Sequence, residues 1–117
     1  MHEVGIMAST LDAIRQQAAL HGAERVSRIV LRIGALSGVE PEALRFAYEA
    51  LTPGTLAAGA VLDIELIAAR AHCATCAADF DGGDTPLLRC PRCGNYSGDL
   101  RAGRELAIAR LEFPVSS

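Results

Sequence analysis

Four cysteines in two closely spaced pairs are the residues of this chain best suited to chemistry. Cys73 and Cys76 enclose two residues, thirteen residues follow, and Cys90 and Cys93 enclose two more. Each short turn directs two sulfur atoms toward one point. Two such turns facing each other supply four thiolates in the tetrahedral arrangement that Zn²⁺ prefers. The spacing therefore predicts one zinc ion bound by Cys73, Cys76, Cys90 and Cys93.

A zinc site with four protein ligands has no open coordination position. Because water cannot be activated there, we expect the zinc to be structural and the chain not to be an enzyme. Residues 72–99 are poor in apolar side chains, so this segment needs a metal to stay folded. Buried thiols and a dithiol redox pair are the alternatives. Redox pairs usually open a helix after a strand, and neither cysteine pair follows that pattern.

Two neighbours of the cysteines bear on the site. Gly94 follows the last cysteine, where a left-handed backbone conformation suits the end of the turn. His72 precedes the first cysteine and could be a spare ligand or tune the site with pH. An exposed residue without a metal role is the preferred interpretation of His72.

The first three residues, Met1, His2 and Glu3, form a second candidate metal site. Methionine aminopeptidase removes an initiator methionine only when the second residue is small. Because His2 is large, the amine of Met1 should stay next to it. That amine, the His2 backbone nitrogen and the His2 imidazole can chelate one metal through fused rings. Planar nitrogen donors suit Ni(II) or Cu(II), and Glu3 can add a backbone nitrogen or a carboxylate oxygen. The alternative is an ordinary frayed terminus.

Composition narrows the class of protein. The chain has 117 residues, half of them apolar, which suits one domain with a core of Leu, Ile, Val and Ala. Its formal net charge of −3 argues against a general nucleic-acid binder. No apolar run is long enough to span a bilayer, and the first residues do not resemble a secretory signal. We therefore expect a cytoplasmic protein whose thiols stay reduced.

Hydrophobic periodicity gives the order of the elements. The pattern predicts a helix over 4–21 ending at Gly22, a strand over 25–34, a helix from Pro41 to before Pro53, and strands over 61–69 and 104–113. The last strand is expected to rejoin the first two in one sheet, so the cysteine segment is an insertion. The apolar residues of the last strand, 104–113, change face near Ala109, which indicates a bulge or a strand buried on both sides.

Four stretches together resemble the HypA/HybF family of hydrogenase maturation proteins, and the resemblance covers essentially the whole chain. They are the opening MHE, the segment IGALSGVEPEALRFAYE, the cysteine spacing that ends in CPRCG, and the closing GRELAIARLEF. The resemblance implies an α+β fold of two helices packed on a three-stranded mixed sheet, with an inserted zinc ribbon. It implies a nickel-binding domain of residues 1–70 plus 103–117 and a zinc-binding domain of residues 71–102.

The family resemblance also implies a function. It implies a nickel metallochaperone that carries Ni²⁺ to a hydrogenase, with Met1, His2 and Glu3 binding the nickel. Glu40 is a weaker nickel candidate, and its alternative role is to stabilise the start of a helix. Some family members have a histidine after the last cysteine, where this chain has Gly94, which puts pH sensing by paired histidines in doubt.

Partners follow from the same resemblance. They are a maturation GTPase, the precursor of the hydrogenase large subunit and, in some members, urease maturation proteins; nucleic acid and membrane are not expected. The chain itself is expected to be a monomer or a weak dimer. Three alternatives remain. The first is a zinc-ribbon adaptor that only binds proteins, and the second is a nucleic-acid-binding ribbon, which the acidic balance of the cysteine segment disfavours. The third is a hydrolytic metalloenzyme, which the lack of an open zinc position and of a nucleophile–base set disfavours.

Overall fold

The computed structural model describes residues 2–82 and 88–114 of the chain. In chain order the elements are α1 (His2–Leu20), β1 (Arg28–Gly34), α2 (Pro41–Leu51), β2 (Val61–Ile67), β3 (Arg70–Cys73), β4 (Ala78–Asp81), β5 (Leu88–Arg89), β6 (Tyr96–Ser97), β7 (Leu100–Ala102) and β8 (Leu106–Glu112). Within these residues, neither helix combines the length and apolar character that crossing a bilayer requires.

The chain folds as two compact units. Unit 1 comprises Met1–Leu31, Val39–Ile64 and Ile108–Ser117, and unit 2 comprises Arg32–Gly38 and Glu65–Ala107. Unit 1 carries both helices, and unit 2 carries the cysteine segment. The expected limits of a separate zinc-binding domain, residues 71–102, stay a prediction.

The larger sheet has the strand order β2-β1-β8. The Val61 N–H donates to the Ser27 carbonyl over 2.9 Å, and the Ala35 N–H donates to the Ile67 carbonyl over 2.8 Å. These two bonds join equivalent ends of β1 and β2, so the two strands run parallel. A parallel pair needs a long crossover connection, and the segment that contains α2 supplies it.

β8 pairs with β1 in the opposite sense. The Ser27 N–H donates to the Glu112 carbonyl and the Gly34 N–H donates to the Glu105 carbonyl, each over 2.8 Å. Because these bonds join opposite ends of the two strands, β8 is antiparallel to β1 and the sheet is mixed. The α+β fold of two helices and a three-stranded mixed sheet is confirmed.

Burial along the strands agrees in part with the expected pattern. Ile29, Leu31 and Ile33 of β1 alternate toward one face and are buried, whereas Arg32 is exposed on the other face and pairs with Glu65, with 3.1 Å from Nε to Oε1. No residue of β8 is fully buried. The interpretation of this last strand as buried on both sides is therefore wrong.

Helix α1 ends at Leu20, one residue before the predicted end, and starts two residues before the predicted start. At its end Gly22 has a φ of +64°, and the Ala23 N–H donates to the Ala18 carbonyl over 2.8 Å, as in a Schellman cap. At its start the helix includes His2, although periodicity placed the first residue at 4. The acidic Glu3 in the first turn complements the helix dipole and favours this extension.

The start of α2 lies where the sequence predicted it. Glu40 is the N-cap, with its side chain accepting a hydrogen bond from the Glu42 N–H over 3.2 Å, and Pro41 occupies the first turn. At the other end the Thr52 hydroxyl, which is buried, donates to the Tyr48 carbonyl over 2.8 Å. The alternative role of Glu40, stabilising a helix start, thus has a direct structural basis.

Unit 2 contains two small sheets. One has the order β4-β3-β7, with β3 antiparallel to both neighbours, and the other is the antiparallel pair β5-β6. Where β1 ends, its backbone passes Gly103 so closely that a Cβ on Gly34 would lie 2.1 Å from the Gly103 carbonyl oxygen. Only glycine fits at position 34, and the Leu36 N–H then reaches the same oxygen over 2.6 Å.

Candidate metal centres

The first cysteine turn closes the β3–β4 hairpin. Cys73 is the last residue of β3 and pairs with Ala78, the first residue of β4. Between them the chain reverses, and the Cys76 N–H points at the Cys73 sulfur over 3.5 Å. Ala77 then adopts a left-handed conformation with a φ of +51°. This conformation is rare for a residue with a Cβ, so the hairpin closure must impose it.

The second cysteine turn closes the β5–β6 hairpin in the same way. The Cys90 N–H donates to the Asn95 carbonyl and the Gly94 N–H donates to the Cys90 carbonyl, each over 2.9 Å. Gly94 has a φ of +76°, so the left-handed residue expected after the last cysteine is present. It corresponds to Ala77 of the first turn. The two turns are therefore built alike, each from a hairpin and a left-handed residue after its second cysteine.

The two turns bring all four sulfur atoms within 4.8 Å of one another. The Cys73 and Cys93 sulfurs lie 3.5 Å apart, and the Cys76 and Cys90 sulfurs lie 3.8 Å apart. These separations are far longer than a disulfide bond, and all four cysteines are free thiols. Four sulfurs around a tetrahedral Zn²⁺, with bonds of about 2.3 Å, lie roughly 3.8 Å apart. The four-cysteine cluster thus has the dimensions that such an ion requires.

The thiols of the cluster differ in acidity. The N–H groups of Cys93 and Arg92 point at the Cys90 sulfur and lower the pKa of that thiol to about 6. Burial, followed by hydrogen bonds with the other sulfurs, raises the pKa of Cys76 to about 12. Cys90 therefore loses its proton before Cys76, and the charge on Cys90 disfavours ionisation of Cys76. A divalent cation removes this repulsion, so metal binding displaces the remaining protons.

A small core and one side-chain bond support the cluster. The Asn95 side-chain amide donates to the Thr75 hydroxyl over 3.2 Å and so joins the two turns. Behind them lies a compact set of buried residues: Ala69, Ala71, Cys73, Phe80, Leu88 and Cys90. Sequence reasoning did not single out Thr75, Asn95 or Ala77. Their positions inside or just after the cysteine turns are the only signal that could have identified them.

The structure keeps His72 outside the group of potential metal ligands found in the described part of the chain. That group holds the four cysteines and no histidine. His72 is half-buried, and its Nδ1 lies 2.7 Å from an Asp79 carboxylate oxygen. The preferred interpretation of an exposed side chain is therefore inexact, because His72 is engaged in an ion pair with Asp79 when protonated.

The second candidate centre lies at the start of α1. Met1 lies outside the described residues, and His2 is the first residue of α1, with an exposed side chain. A Glu3 carboxylate oxygen accepts a hydrogen bond from the Glu40 N–H over 3.2 Å. The structure thus brings Glu3 and Glu40 together, although they are 37 positions apart in sequence. The Glu40 carboxylate is itself engaged in capping α2.

This contact makes a pH-dependent prediction for Glu3→Gln. The Glu40 N–H, followed by the Glu3 N–H, lowers the pKa of the Glu3 carboxyl below its ordinary value of 4.5. A lowered pKa stabilises the fold above the unfolded-state value and stops doing so as pH falls through the lowered value. We expect the melting temperature of Glu3→Gln to lie below that of the wild type at neutral pH and to converge with it below pH 4.5. A difference in melting temperature that stays constant across that pH range would show that the charged Glu3 carboxylate does not stabilise the fold.

Comparison with known proteins identifies the family. The model of the family described as hydrogenase and urease nickel incorporation, metallochaperone HypA, matches residues 1–113. The hydrogenase maturation factor HypA of Chlorobium limicola is 46% identical over 111 residues, which are 95% of each chain. That of Acidithiobacillus ferrooxidans is 40% identical over 112 residues, which cover 96% of this chain and 98% of the other.

Two solved structures share the fold. A solution structure of a HypA protein has a TM-score of 0.68 at 23% identity and covers 97% of each chain. The solution structure of the Ni metallochaperone HypA from Helicobacter pylori has a TM-score of 0.66 at 21% identity and covers 97% of this chain and 98% of the other. With a family match that spans nearly the whole sequence, this chain belongs to the HypA family.

Proposed function

We propose that this chain is a nickel metallochaperone for the maturation of nickel–iron hydrogenase. The observation that carries the proposal is the family match over residues 1–113, which includes both the start of the chain and the four-cysteine cluster. One centre is held within a folded module and the other lies at an exposed helix start. This division suits a protein that keeps one metal for its own structure and passes another on.

The four-cysteine cluster is the structural centre of this proposal. Cys73 and Cys90 are each 3% exposed, and all four sulfurs lie within 4.8 Å of one another. Zinc, when bound there, supplies a cross-link between the two turns and no open coordination position. The chain's own residues do the rest: the two hairpins orient the sulfurs, and N–H groups stabilise the thiolate of Cys90. We therefore assign no catalytic role to the cluster.

The cargo centre is the start of α1, where Met1, His2 and Glu3 offer nitrogen ligands for Ni²⁺. The first N–H groups of a helix have no partner within the helix. Deprotonating the His2 and Glu3 amides for nickel therefore breaks no hydrogen bond of the α1 ladder. It does abolish the contact between the Glu3 N–H and the Glu3 carboxylate. Because amide protons must leave for nickel to bind, lower pH favours release.

The family assignment supports a proposal about the partners and the place of action. We propose that nickel passes to the hydrogenase large-subunit precursor with the help of a maturation GTPase, and that urease maturation proteins are a further candidate recipient. Free thiols at the cluster suit the reducing cytoplasm. Glu40 remains a secondary nickel candidate, because its carboxylate would have to leave the N-cap of α2 to coordinate the ion.

Complementation of a strain that lacks the gene for this chain distinguishes nickel delivery from a role limited to binding other proteins. Without the gene for this chain, we expect hydrogenase activity near background and partial recovery when the medium contains excess nickel, by mass action. The wild-type gene should restore full activity in low nickel, and a His2→Ala gene should not. If His2→Ala restores full activity, or if excess nickel has no effect, the chain acts as a zinc-stapled adaptor instead.

A further inference from the structure

The four cysteines are unequally protected from solvent. Cys73 and Cys90 are buried, Cys76 is half-buried and Cys93 is exposed. Cys93 also sits on the second turn, whose closing bonds are the Gly94 N–H to the Cys90 carbonyl and the Cys90 N–H to the Asn95 carbonyl. A competing ligand from solution therefore reaches Cys93 first, and the stiffness of the second turn decides how readily its sulfur moves away.

One side chain spans the base of this turn. Arg89 Nε donates to the Gly94 carbonyl over 2.9 Å. The same guanidinium lies 5.9 Å from the centre of the Tyr96 ring, which is its partner across the β5–β6 pair. This distance is within the range of cation–π attraction. Arg89, which precedes the turn, thus makes two contacts at its far end, one with the Gly94 carbonyl and one with the Tyr96 ring.

Glycine at position 94 makes this approach possible. A Cβ there would lie 3.2 Å from one terminal nitrogen of Arg89 and 3.5 Å from its Nε. Gly94 therefore serves two purposes, a left-handed backbone after Cys93 and room for the guanidinium. A charge-assisted hydrogen bond from a planar guanidinium is stronger and more directional than a neutral one. Arg89 is consequently suited to hold the carbonyl next to Cys93 in place.

We propose that Arg89 is a positioning residue of the four-cysteine cluster, which keeps Cys93 in its binding position and sets the rate at which the metal leaves by way of that cysteine. This inference rests on the proposed zinc occupancy of the cluster. The Arg89–Gly94 bond must break before the second turn can swing out, and the Tyr96 ring holds the guanidinium ready to re-form it. Loss of the Arg89–Gly94 hydrogen bond raises the rate of metal release without changing the four cysteine ligands.

Zinc release into a chromogenic pyridylazo-resorcinol chelator measures the effect. We expect zinc-loaded Arg89→Gln to release the ion about tenfold faster than wild type, since it loses one hydrogen bond to a charged group. Arg89→Lys keeps the charge but lacks the planar fork, so its rate should fall between the two. Arg92→Gln is the matched control, because it removes only an exposed side-chain charge from the same turn and keeps the backbone N–H that points at the Cys90 sulfur. Its release rate should stay within about twofold of wild type.

Two further readouts separate release from folding. The cobalt-substituted forms of all variants should show the same thiolate-to-cobalt absorption, since the four ligands are unchanged. N-ethylmaleimide should label Cys93 before the other cysteines in the zinc-loaded wild type and faster in Arg89→Gln. Equal release rates in Arg89→Gln and wild type, equal acceleration by Arg92→Gln, or first labelling at another cysteine overturns the proposal. So does failure of both Arg89 variants to bind cobalt, which would assign Arg89 to folding.

Failure of the zinc assignment and failure of the Arg89 inference give different results in these experiments. If the wild-type chain itself holds no zinc in the cluster, the zinc assignment is overturned and the role of Arg89 with it. If the wild type holds zinc and only the Arg89 comparison fails, the metallochaperone proposal stands and this inference alone is lost.

Discussion

Replacing Cys90 by serine should leave the chain unable to retain zinc and should unfold the small sheets around the cluster. Cys90 is buried, and its sulfur lies 3.8 Å from the Cys76 sulfur. This sulfur accepts hydrogen bonds from backbone N–H groups, which lower the pKa of the thiol to about 6. A serine hydroxyl does not ionise near neutral pH, so it cannot replace this thiolate. Structural zinc sites contribute about 10–16 kcal/mol of apparent binding free energy at pH 7. Few substitutions in the chain should cost more.

Zinc content and amide hydrogen exchange measure this effect together. We expect about one zinc ion per wild-type chain and close to none in Cys90→Ser, with fast exchange in β3, β4 and β7. Ala74→Ser is the matched control, because it places the same hydroxyl at an exposed position of the first turn and should keep both zinc and protection. Wild-type zinc content in Cys90→Ser would contradict the four-thiolate site.

The second large effect concerns His2→Ala and nickel. His2 supplies both an imidazole and a backbone nitrogen to the proposed chelate, and its side chain is exposed at the start of α1. Removing the imidazole opens one of the fused rings and lets water take the vacant place. We expect the nickel affinity to fall on the order of 100-fold, about 2.7 kcal/mol of binding free energy. The zinc content should not change.

His21→Ala is the matched control for this substitution. His21 follows the last residue of the same helix, with its Nδ1 2.9 Å from the Gln17 carbonyl oxygen and its ring 5.6 Å from that of Phe113. Its loss removes an imidazole far along the sequence from the amine and should leave nickel affinity unchanged. Calorimetric titration of both variants measures the difference. Equal affinities would mean that nickel binds somewhere other than the start of α1.

Much of the fold could be predicted because local signals agreed with tertiary packing. Gly22 and Pro41 mark helix boundaries through backbone chemistry that no neighbour overrides. The cysteine cluster was predictable for a similar reason, since two short turns with fixed spacing have few ways to present four sulfurs. In each case the residue type itself restricts the geometry.

Other features depend on contacts that the sequence does not specify. The extension of α1 to His2 carries no periodic signal, and the Glu3–Glu40 contact needs two segments that fold together. Ala77 adopts a left-handed conformation that alanine disfavours, because closing the hairpin outweighs this local preference. Arg89 is a long, exposed side chain, and only the structure shows that it reaches the Gly94 carbonyl. Such residues become recognisable only after the backbone is placed.

The most direct test of the central claim compares two chains that differ only at the terminal amine. One has the native start, with mass spectrometry confirming a free Met1 amine, and the other carries one additional glycine before Met1. Both are loaded with zinc and titrated with Ni²⁺. We expect about one nickel ion for each chain with the free Met1 amine, with the absorption of a planar nitrogen site, and no such uptake by the extended chain. Equal uptake with the same spectrum in both chains would show that the start of the chain is not the nickel site.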